Sequence, residues 1–474
     1  MDSQAQFSIT TTPIAGLVIM QLDLRIDNRG WFKENWQQAK IAALPGAPHA
    51  LREFQPVQNN VSLSTQAGVT RGLHAEPWNK FISIAQGEIF AAWCDLRADS
   101  PTFGQVFSTP ITPGQAVFVP RGVANGFQAL EPTVYTYLLD AHWSPNAQYS
   151  HVNLADPALG IAWPISLSQA ELSASDKTHP LLVDVTPVAP KKILIIGAQG
   201  QIGQALATEF PTATLCSHAE FDLTADYEAL EAAFDWDDYA VIINAAAYTA
   251  VDQAEADRAQ CWAVNAEGPT KLARLATKHR LMLVHFSSDY VFDGQAAIAS
   301  ETDSVAPLNF YGASKAAGDA AVSAVAKHYI VRTSWVVGSG KNFVRTMLQL
   351  ATQTEVNPQV VNDQVGRLAF SDDVAAAVAY LINGEHPYGT YNVTSDGQPQ
   401  SWADIARQVF ELAGADPARV VECSTAEYVA GLSDPVVPRP QNSQLSLAKI
   451  KAAGFAPTDG EARLRTYVAD ELHG

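Results

Sequence analysis

The sequence is poor in cysteine and in long apolar runs, and each shortage excludes a class of protein. Its 474 residues include four widely spaced cysteines (Cys94, Cys216, Cys261 and Cys423) and no Cys-x-x-Cys pair. This spacing argues against a zinc site and favours reduced thiols. No stretch reaches the roughly 18 apolar residues of a membrane helix, and the first residues lack the pattern of a signal peptide. We expect a cytoplasmic protein without a metal site.

Positive charge is also scarce. Lys and Arg number 30 against 49 Asp and Glu, which gives a net charge of −19. A field of that sign repels polyanions, so we expect neither nucleic acid nor a membrane surface as a partner. A small anionic ligand remains possible where basic residues cluster locally.

The pattern of the chain changes near residue 190. Before it, short runs that alternate apolar and polar residues are separated by Gly, Pro and Asn, which favours an antiparallel sandwich or barrel over residues 1–182. These runs are residues 54–63, 81–96, 104–112, 115–120 and 127–141. Residues 183–190 contain two prolines and are interpreted as a short, stiff linker.

From residue 191 to residue 474, compact apolar runs alternate with Ala-rich helical stretches, which is typical of a doubly wound α/β domain. The predicted strands are residues 192–196, 240–244, 281–286 and 329–333, and a helix is predicted over 201–209. Gly197-Ala-Gln-Gly200-Gln-Ile-Gly203 lies between the first strand and that helix. Such a turn lets a pyrophosphate approach the backbone and the helix N-terminus. We therefore predict a dinucleotide site at Gly197, Gln199, Gly200, Gln201, Ile202 and Gly203.

Tyr311 and Lys315 stand four residues apart, so on a helix both project from one face. A phenol with a pKa near 10 is a poor acid–base catalyst at neutral pH unless a neighbouring cation lowers that pKa. Lys315 is predicted to lower the pKa of Tyr311 and to bind the cofactor ribose. The segment Ser287-Ser288-Asp289-Tyr290, at the end of a strand, offers hydroxyls to orient the reacting carbonyl.

These residues resemble the extended short-chain dehydrogenase/reductases and, more closely, the dTDP-4-dehydrorhamnose reductases. The matching motifs are Asn244-Ala-Ala-Ala-Tyr-Thr-Ala-Val-Asp252, Ser288-Asp-Tyr-Val-Phe-Asp-Gly294, Tyr311-Gly-Ala-Ser-Lys315, Arg332-Thr-Ser-Trp335 and Arg439-Pro-Gln-Asn-Ser443. The resemblance implies a Rossmann domain with a small substrate lobe and NADPH or NADH as cofactor. It implies Tyr311 as the proton donor to a sugar C4 ketone and Ser288 as the residue that hydrogen-bonds the carbonyl. It also implies cofactor contacts at Asp222, Leu223, Ala245 and Ala246 and sugar contacts at Tyr290 and Trp335.

The preference between the two nicotinamide cofactors stays open. The segment Leu215-Cys-Ser-His218 comes after the predicted helix 201–209, at the second strand of the dinucleotide-binding fold. It has no acid to bind a ribose 2′-hydroxyl and no arginine to bind a 2′-phosphate.

The first half concentrates Arg71, His74 and Lys80 in one short stretch. A carboxylate on one nitrogen of an imidazole fixes its tautomer and raises the basicity of the other nitrogen. We predict that Asp156 is the carboxylate that pairs with His74.

This half resembles the dTDP-4-dehydrorhamnose 3,5-epimerases, which have a cupin-like jelly roll. The matching motifs include Asn28-Arg-Gly-Trp-Phe-Lys-Glu34, Arg71-Gly-Leu-His74 and Pro120-Arg-Gly-Val-Ala-Asn-Gly-Phe127. The resemblance implies that His74 with Asp156 is the base, Tyr137 the acid, and Arg71 and Lys80 the stabilisers of an enolate oxygen. It also implies nucleotide contacts at Arg29, Glu34, Gln58 and Asn60.

Three positions depart from that family pattern: Asn125, Leu138 and Trp143. They leave open whether the pocket acts at both C3 and C5 of the sugar. The sequence also leaves open the nucleotide, dTDP or another, and any Mg²⁺ requirement.

The two resemblances point to successive steps of one pathway, so we predict a bifunctional enzyme that makes dTDP-L-rhamnose from a nucleotide-sugar substrate. Epimerases of this kind usually pair through the jelly roll, which favours a homodimer. Two alternatives stay open: a related deoxysugar pathway, and a regulatory subunit that retains a reductase-like fold without catalysis.

Overall fold

The computed structural model describes residues 7–144, 147–430 and 437–473. The chain divides into two compact units, residues 1–190 and residues 191–474. Within the described residues, no helix combines the length and the apolar character needed to cross a membrane.

The first unit is a jelly roll of two antiparallel sheets. Its strands are β1 (Ser8–Thr11), β2 (Val18–Gln21), β3 (Arg25–Asp27), β4 (Gly30–Phe32), β5 (Gln58–Ser64), β6 (Thr70–Ala75), β7 (Lys80–Gln86), β8 (Ile89–Asp95), β9 (Val106–Ile111), β10 (Gln115–Val119), β11 (Val123–Ala129), β12 (Thr133–Leu139) and β13 (Ser150–Val152). One sheet has the order β1-β2-β10-β7-β12-β5, and the other has the order β13-β6-β11-β8-β9.

Apolar and polar residues alternate along the strands, and the apolar side chains that point inwards form the core of this unit. Inward side chains of both sheets, such as Ile82, Trp93 and Phe127, pack into one buried apolar cluster, as expected of a sandwich. The apolar run at residues 81–96, predicted as one segment, is two strands. They turn at Gly87, where φ is +84° and a Cβ would lie 2.5 Å from the Pro132 carbonyl oxygen. Only glycine fits such a turn without strain.

Two short helices and a hairpin complete the unit. The helices are α1 (Gln38–Ala42) and α2 (His49–Arg52), and β3 pairs only with β4 among the described strands. All residues of this hairpin are exposed, including Ile26 and Phe32 at 77% and 66%.

The segment 183–190 differs from the predicted linker. Val185 and Val188 are buried in the core of the first unit, the Val188 amide donates to the Leu96 carbonyl, and the Ala98 amide donates to the Val188 carbonyl. The two prolines indicated a short, stiff linker, but Val185 and Val188 dock the segment onto the jelly roll.

The second unit is a doubly wound α/β domain, as predicted. Its strands are β14 (Lys192–Ile196), β15 (Thr214–Cys216), β16 (Tyr239–Asn244), β17 (Met282–Ser288), β18 (His328–Thr333), β19 (Val336–Val337), β20 (Gln359–Val361), β21 (Val365–Gly366), β22 (Ala369–Phe370), β23 (Gly389–Asn392), β24 (Gln400–Ser401) and β25 (Val421–Cys423). The main sheet has the order β15-β14-β16-β17-β18-β23, and all its pairs are parallel.

The helices of this unit cover both faces of that sheet. They are α3 (Gln201–Glu209), α4 (Tyr227–Ala232), α5 (Arg258–Trp262), α6 (Gly268–His279), α7 (Phe310–Val322), α8 (Phe343–Ala351), α9 (Ser371–Asn383), α10 (Trp402–Leu412), α11 (Thr425–Ala430), α12 (Ala448–Ala452) and α13 (Gly460–His473). A separate apolar cluster joins α8, α10 and α13 into the predicted small lobe. The carboxyl ends of the parallel strands, where ligands bind in such folds, carry Asn244 and Ser288.

Candidate active sites

The first candidate site is centred on His74, in the middle of the second sheet of the jelly roll. On β6, His74 lies opposite Asn125 of β11 on one side and His151 of β13 on the other. Its Nε2 atom lies 2.8 Å from Oδ1 of Asp176. This contact leaves Nδ1 as the ring nitrogen that can take a proton from a substrate.

Asp176 is buried. Burial opposes its ionisation, but hydrogen bonds from His74 and Ser173 outweigh that effect and hold the pKa of the carboxyl below its ordinary value. A Cβ on Gly72 would collide with this carboxylate. Glycine at that position therefore gives Asp176 access to the imidazole two residues further along β6.

The predicted pairing of His74 with Asp156 is wrong. Asp156 precedes a turn of 3₁₀-helix (Pro157–Leu159), and its two oxygens accept from the backbone amides of Ala158 and Leu182. Its carboxylate is thus used to fix a loop. The residue before a proline is a frequent helix cap, and this structural role accounts for the Asp-Pro pair in the sequence.

Tyr137 and Lys80 lie on the other sheet, on neighbouring strands β12 and β7. The Lys80 ammonium pairs with Glu76 Oε1 at 2.7 Å, donates to Asn125 Oδ1 at 2.9 Å and lies 5.5 Å from the centre of the Tyr137 ring. Because Asn125 also lies opposite His74, these contacts connect the predicted base on one sheet with the predicted acid on the other.

Burial governs the ionisation of Lys80 and Tyr137. It lowers the pKa of Lys80, against the opposing effect of Glu76, and it raises the pKa of Tyr137. Tyr137 therefore keeps its proton at neutral pH, as a proton donor must.

The remaining predicted residues of this half fall into two groups. Asn60 lies directly opposite Tyr137, is joined to it by a side-chain hydrogen bond, and accepts from Gln58 at 3.0 Å. Arg71 lies close enough to Tyr137 to favour its ionised form. By contrast, Arg29 pairs with Asp27 in the exposed hairpin and Glu34 pairs with Lys40, so the described contacts of these two residues lie away from His74.

The second candidate site begins at the glycine turn after β14. Gly197 has φ +79°, and a Cβ there would lie 2.5 Å from the Ala246 amide nitrogen. A Cβ on Gly203 would collide with the Gly197 carbonyl oxygen. Gly200, just before α3, faces open space, since the nearest atom to a Cβ there is 3.5 Å away. The turn is thus packed on two sides and open where the helix N-terminus can receive a pyrophosphate.

Of the other predicted cofactor residues, Ala245 and Ala246 lie beside this turn. The Ala245 amide donates to the Ile196 carbonyl, which places Ala245 and Ala246 at the end of β16 beside Gly197. Asp222 accepts from Thr224, and Leu223 is buried against Gly268. Gln199 is exposed, while Gln201 and Ile202 form the first turn of α3.

Tyr311 and Lys315 lie one turn apart on α7, as predicted. A side-chain hydrogen bond joins Tyr311 to Ser288 at the end of β17, and Lys315 Nζ donates to the Phe286 carbonyl at 2.6 Å. The helix begins at a cap in which Asn309 accepts from the Gly312 amide. The tyrosine, the lysine and the strand-end serine are therefore brought together by one helix and one strand.

The predicted lowering of the Tyr311 pKa is not what these residues produce. Burial raises the pKa of Tyr311 above its ordinary value, and the neighbouring Asp289 and Tyr290 act in the same direction. Burial also lowers the pKa of Lys315, to about 8. A protonated phenol still suits reduction, because the alkoxide formed from a ketone is a much stronger base than a phenolate.

Of the two predicted sugar contacts, Tyr290 touches Tyr311, whereas Trp335 packs against the small lobe. Tyr290 packs edge-on against Tyr311 with ring centres 5.7 Å apart, and it is hydrogen-bonded to Arg439, which pairs with Asp252 at 2.7 Å. Trp335 adopts φ +47° and stacks on Trp402 at 3.7 Å. A non-glycine residue with positive φ is held there by its surroundings and is frequent at functional sites.

Sequence reasoning missed Asp176, Glu76, Arg439 and Trp402 as members of these sites. Asp176 is 102 residues from His74 and Arg439 is 187 residues from Asp252, so no local spacing signals either contact. For Asp176 a signal existed in Gly72, whose lack of a side chain marks a close approach.

Comparisons with known proteins cover both units. The family described as dTDP-4-dehydrorhamnose 3,5-epimerase matches residues 11–184, and the family described as RmlD substrate binding domain matches residues 191–472. A "Protein RmlC homolog" from Streptococcus pyogenes is 50% identical over 184 residues, covering 38% of this chain and 91% of that protein.

Relatives of the second unit are equally well covered. A dTDP-4-dehydrorhamnose reductase from Aggregatibacter actinomycetemcomitans is 38% identical over 304 residues, which span 59% of this chain and 98% of that protein. The crystal structure of a dTDP-4-dehydrorhamnose reductase from Bacillus anthracis in complex with NADP is 31% identical, with a TM-score of 0.54 over 59% of this chain and 99% of that one.

Proposed function

The chain belongs to the dTDP-4-dehydrorhamnose 3,5-epimerase family through its first unit and to the RmlD reductase family through its second, and from this premise we propose which residues perform each step. It is a bifunctional enzyme of dTDP-rhamnose biosynthesis. Epimerisation of dTDP-4-dehydro-6-deoxy-glucose forms dTDP-4-dehydro-rhamnose, and nicotinamide-dependent reduction then forms dTDP-rhamnose.

In the epimerase site, His74 is the base. Its Nδ1 removes the proton from the sugar carbon next to the C4 ketone, while Asp176 on Nε2 stabilises the imidazolium that results. The electron pair moves to the ketone oxygen as an enolate, and the buried Lys80 ammonium is placed to stabilise that charge. Tyr137 then donates its proton to the opposite face of the carbon, which inverts it.

The same reaction at the second carbon requires both groups to be reset. His74 must release its proton and Tyr137 must regain one before the next inversion. The location of the two residues on facing sheets supports this assignment, because inversion needs an acid and a base on opposite sides of the sugar ring.

In the reductase site, the glycine turn of residues 197–203 and the N-terminus of α3 hold the cofactor pyrophosphate, as the space above Gly200 allows. Bound NADPH or NADH supplies a hydride to C4 of the sugar. Ser288 hydrogen-bonds the ketone oxygen, and Tyr311 donates the proton to that oxygen as the hydride arrives. Lys315 holds the ribose and keeps a positive charge near the phenol.

The whole molecule is proposed to be a homodimer that pairs through the jelly roll. The exposed hairpin β3–β4 carries Ile26, Trp31 and Phe32, and β5 is an edge strand that exposes Val61 and Leu63. Exposed apolar side chains and an unpaired strand edge on one unit are features that a second copy would cover. Arg29 lies in this hairpin and Glu34 lies two residues after it, so pairing would bring both towards the partner's nucleotide.

We also place the enzyme in the cytoplasm. All four cysteines are buried and free, which suits a reducing compartment.

The observation that carries the proposal is the convergence, in each unit, of an acid–base set at one site: His74 with Asp176 near Tyr137, and Tyr311 with Ser288 near Lys315. The test is NADPH oxidation with dTDP-4-dehydro-6-deoxy-glucose as the substrate, followed by identification of the sugar product. The wild-type chain should yield dTDP-rhamnose.

Two variants and one control separate the steps. His74→Ala should stop NADPH oxidation, and a separate epimerase should restore it. Tyr311→Phe should stop oxidation whether or not an epimerase is added. Tyr428→Phe, at an exposed tyrosine on α11, should behave as wild type. Oxidation that survives His74→Ala would contradict the role of His74, and a chain without turnover would favour a regulatory subunit.

A further inference from the structure

Three imidazoles gather at the epimerase site, and the mechanism uses only one of them. The ring centre of His74 lies 5.0 Å from that of His151 and 5.3 Å from that of His179. The ring centres of His151 and His179 are 4.5 Å apart. One ring nitrogen from each residue lies within 4.8 Å of the corresponding nitrogens of the other two. Three of the chain's 11 histidines are thus gathered at one site.

The backbone positions all three residues. His74 and His151 are register partners on adjacent strands β6 and β13. The loop that carries His179 is fixed to the segment after β13, because Asn153 Nδ2 donates to the His179 carbonyl and the Asn153 amide donates to the Pro180 carbonyl. The imidazoles are therefore held together by the fold, and only side-chain rotations are needed to bring their nitrogens closer.

A carboxylate lies behind the cluster. Asp176 Oδ1 is 2.8 Å from His74 Nε2 and 3.9 Å from His179 Nδ1, and His179 Nδ1 is buried with no hydrogen-bond partner among the described residues. A histidine that binds a metal commonly donates its other ring N–H to a carboxylate, which orients the ring and raises its basicity. Asp176 is positioned to serve the cluster in this way.

We propose that His74, His151 and His179 form a binding site for a divalent transition-metal ion such as Zn²⁺, and that occupation of this site switches off the epimerase. Imidazole is a preferred ligand for Zn²⁺, Co²⁺, Ni²⁺ and Cu²⁺. Zinc–nitrogen bonds of about 2.0–2.1 Å in tetrahedral geometry require nitrogens about 3.3 Å apart. The nitrogens, which lie within 4.8 Å of one another, therefore have to approach by up to about 1.5 Å, and the fourth position is left for water.

Inhibition follows from the ligand set. Because Asp176 lies on Nε2 of His74, a metal on His74 would take the lone pair of Nδ1, the nitrogen proposed to accept the substrate proton, and His74 could then no longer act as the base. This consequence rests on the proposed role of His74 as the base, whereas metal binding itself does not. The reductase residues belong to the other unit and share no ligand with the cluster, so the ion should stop one reaction and spare the other.

Metal binding is tested on the full-length chain without a histidine tag. The probe is Co²⁺, whose visible absorption reports a site with nitrogen ligands, added to protein first treated with a chelator. The wild-type chain should show a saturable absorption at one ion per chain. No saturable signal at millimolar Co²⁺ would overturn the proposal.

Substitutions test whether the Co²⁺ absorption comes from the three histidines. His151→Ala and His179→Ala should each weaken Co²⁺ binding at least about tenfold, and Asp176→Asn should weaken it about 10- to 100-fold. The matched control is His49→Ala, at an exposed histidine on α2 of the same unit. Far-ultraviolet circular dichroism checks that each variant is folded. Equal Co²⁺ affinity in the cluster variants and in wild type would overturn the assignment.

The inhibitory effect has its own readout. Deuterium from solvent enters the sugar carbons next to the ketone during epimerisation, and this exchange needs no cofactor. Zn²⁺ should stop the exchange in the wild-type chain, a chelator should restore it, and NADPH oxidation of already epimerised substrate should continue. Exchange that persists in the metal-bound enzyme would overturn the inhibition and the role of His74 as base, while the Co²⁺ result would stand.

Discussion

Lys80 and Asn125 join the two sheets of the jelly roll through a hydrogen bond of 2.9 Å between Nζ and Oδ1. The ammonium also pairs with Glu76 and lies over the ring of Tyr137. An asparagine at position 125, one of the departures from the family pattern, is thus the residue that fixes a buried cation between the predicted acid and the predicted base.

Asn125→Ala should destabilise the first unit and slow epimerisation. A buried charged donor that loses one acceptor costs about 1–3 kcal/mol, and Lys80 would no longer be fixed beside the enolate oxygen. Urea unfolding and deuterium exchange at the sugar carbons measure the two effects. The control is Asn59→Ala, at an exposed asparagine of β5 that accepts from Thr136. Equal stability of the two variants would show that the inter-sheet hydrogen bond contributes nothing.

Asp176→Asn and Asp156→Asn should have opposite profiles. Loss of the Asp176 carboxylate deprives His74 of its partner and should lower epimerase turnover about 10²- to 10⁴-fold. Asparagine at position 156 keeps one acceptor oxygen for the cap of the 3₁₀ turn but cannot also accept from the Leu182 amide. Loss of that hydrogen bond should cost about 1–3 kcal/mol of stability, with turnover largely retained. Steady-state kinetics and thermal unfolding of both variants decide between the two roles. A larger loss of turnover in Asp156→Asn would restore the original pairing.

Gly203→Ala and Gly200→Ala should separate the fold of the glycine turn from its function. A methyl group at position 203 collides with the Gly197 carbonyl oxygen, so this variant should lose both thermal stability and cofactor affinity. A methyl group at position 200 meets nothing closer than 3.5 Å, so stability should be retained while the approach of the pyrophosphate is obstructed. Fluorescence titration with NADPH measures the cofactor affinity of each variant, and thermal unfolding measures its stability. Unchanged NADPH affinity in Gly200→Ala would place the pyrophosphate elsewhere.

Lys315 should make the activity and the stability of the second unit respond oppositely to pH. Burial lowers its pKa from 10.5 to about 8, so the folded chain releases this proton near pH 8 while the unfolded chain keeps it to about pH 10.5. Because the unfolded state binds more protons in that window, this group's contribution to stability increases as the pH rises from 8 to 10.5. Reductase activity should fall with a midpoint near pH 8, where the folded chain loses the ammonium.

The comparison variant for this prediction is Lys315→Met. The difference in unfolding free energy between wild type and the variant should change by up to about 3 kcal/mol between pH 7 and pH 10.5. A difference that stays constant with pH would mean that Lys315 has an ordinary pKa in the folded protein.

Phe32→Glu should convert the proposed homodimer into a monomer. Phe32 is 66% exposed on the hairpin β3–β4, and a carboxylate there cannot be buried against a second copy without a large desolvation cost. Sedimentation velocity measures the change in mass. The control is Val183→Glu, at a valine that is 86% exposed and lies outside the hairpin and β5. A wild-type chain that sediments as a monomer would contradict the dimer.

Local patterns in the sequence were sufficient for the fold class of both units, whereas the jelly roll itself was expected from a family resemblance. The predicted strand 192–196 and the predicted helix 201–209 have the bounds of β14 and α3. The glycine turn between them marks where the strand ends and where the helix begins. Tyr311, Lys315 and Ser288 were found because each lies within a short motif whose geometry a single helix or strand determines. Hydrophobic periodicity and helical spacing are short-range properties, so they can be read along the chain.

Tertiary structure alone decided which carboxylate serves His74. Asp156 and Asp176 are both acidic residues of the same unit, and nothing in their local sequence ranks them. The docking of the segments after β13 against β6 brings Asp176 to the imidazole at Gly72 and directs Asp156 to two backbone amides. The same packing gathers His151 and His179 around His74. The sequence by itself determined the helices and strands and the kinds of chemistry present. Which carboxylate pairs with His74 was determined by a contact between residues about a hundred positions apart. Burial enforces such pairing, because a buried charge without a partner is costly.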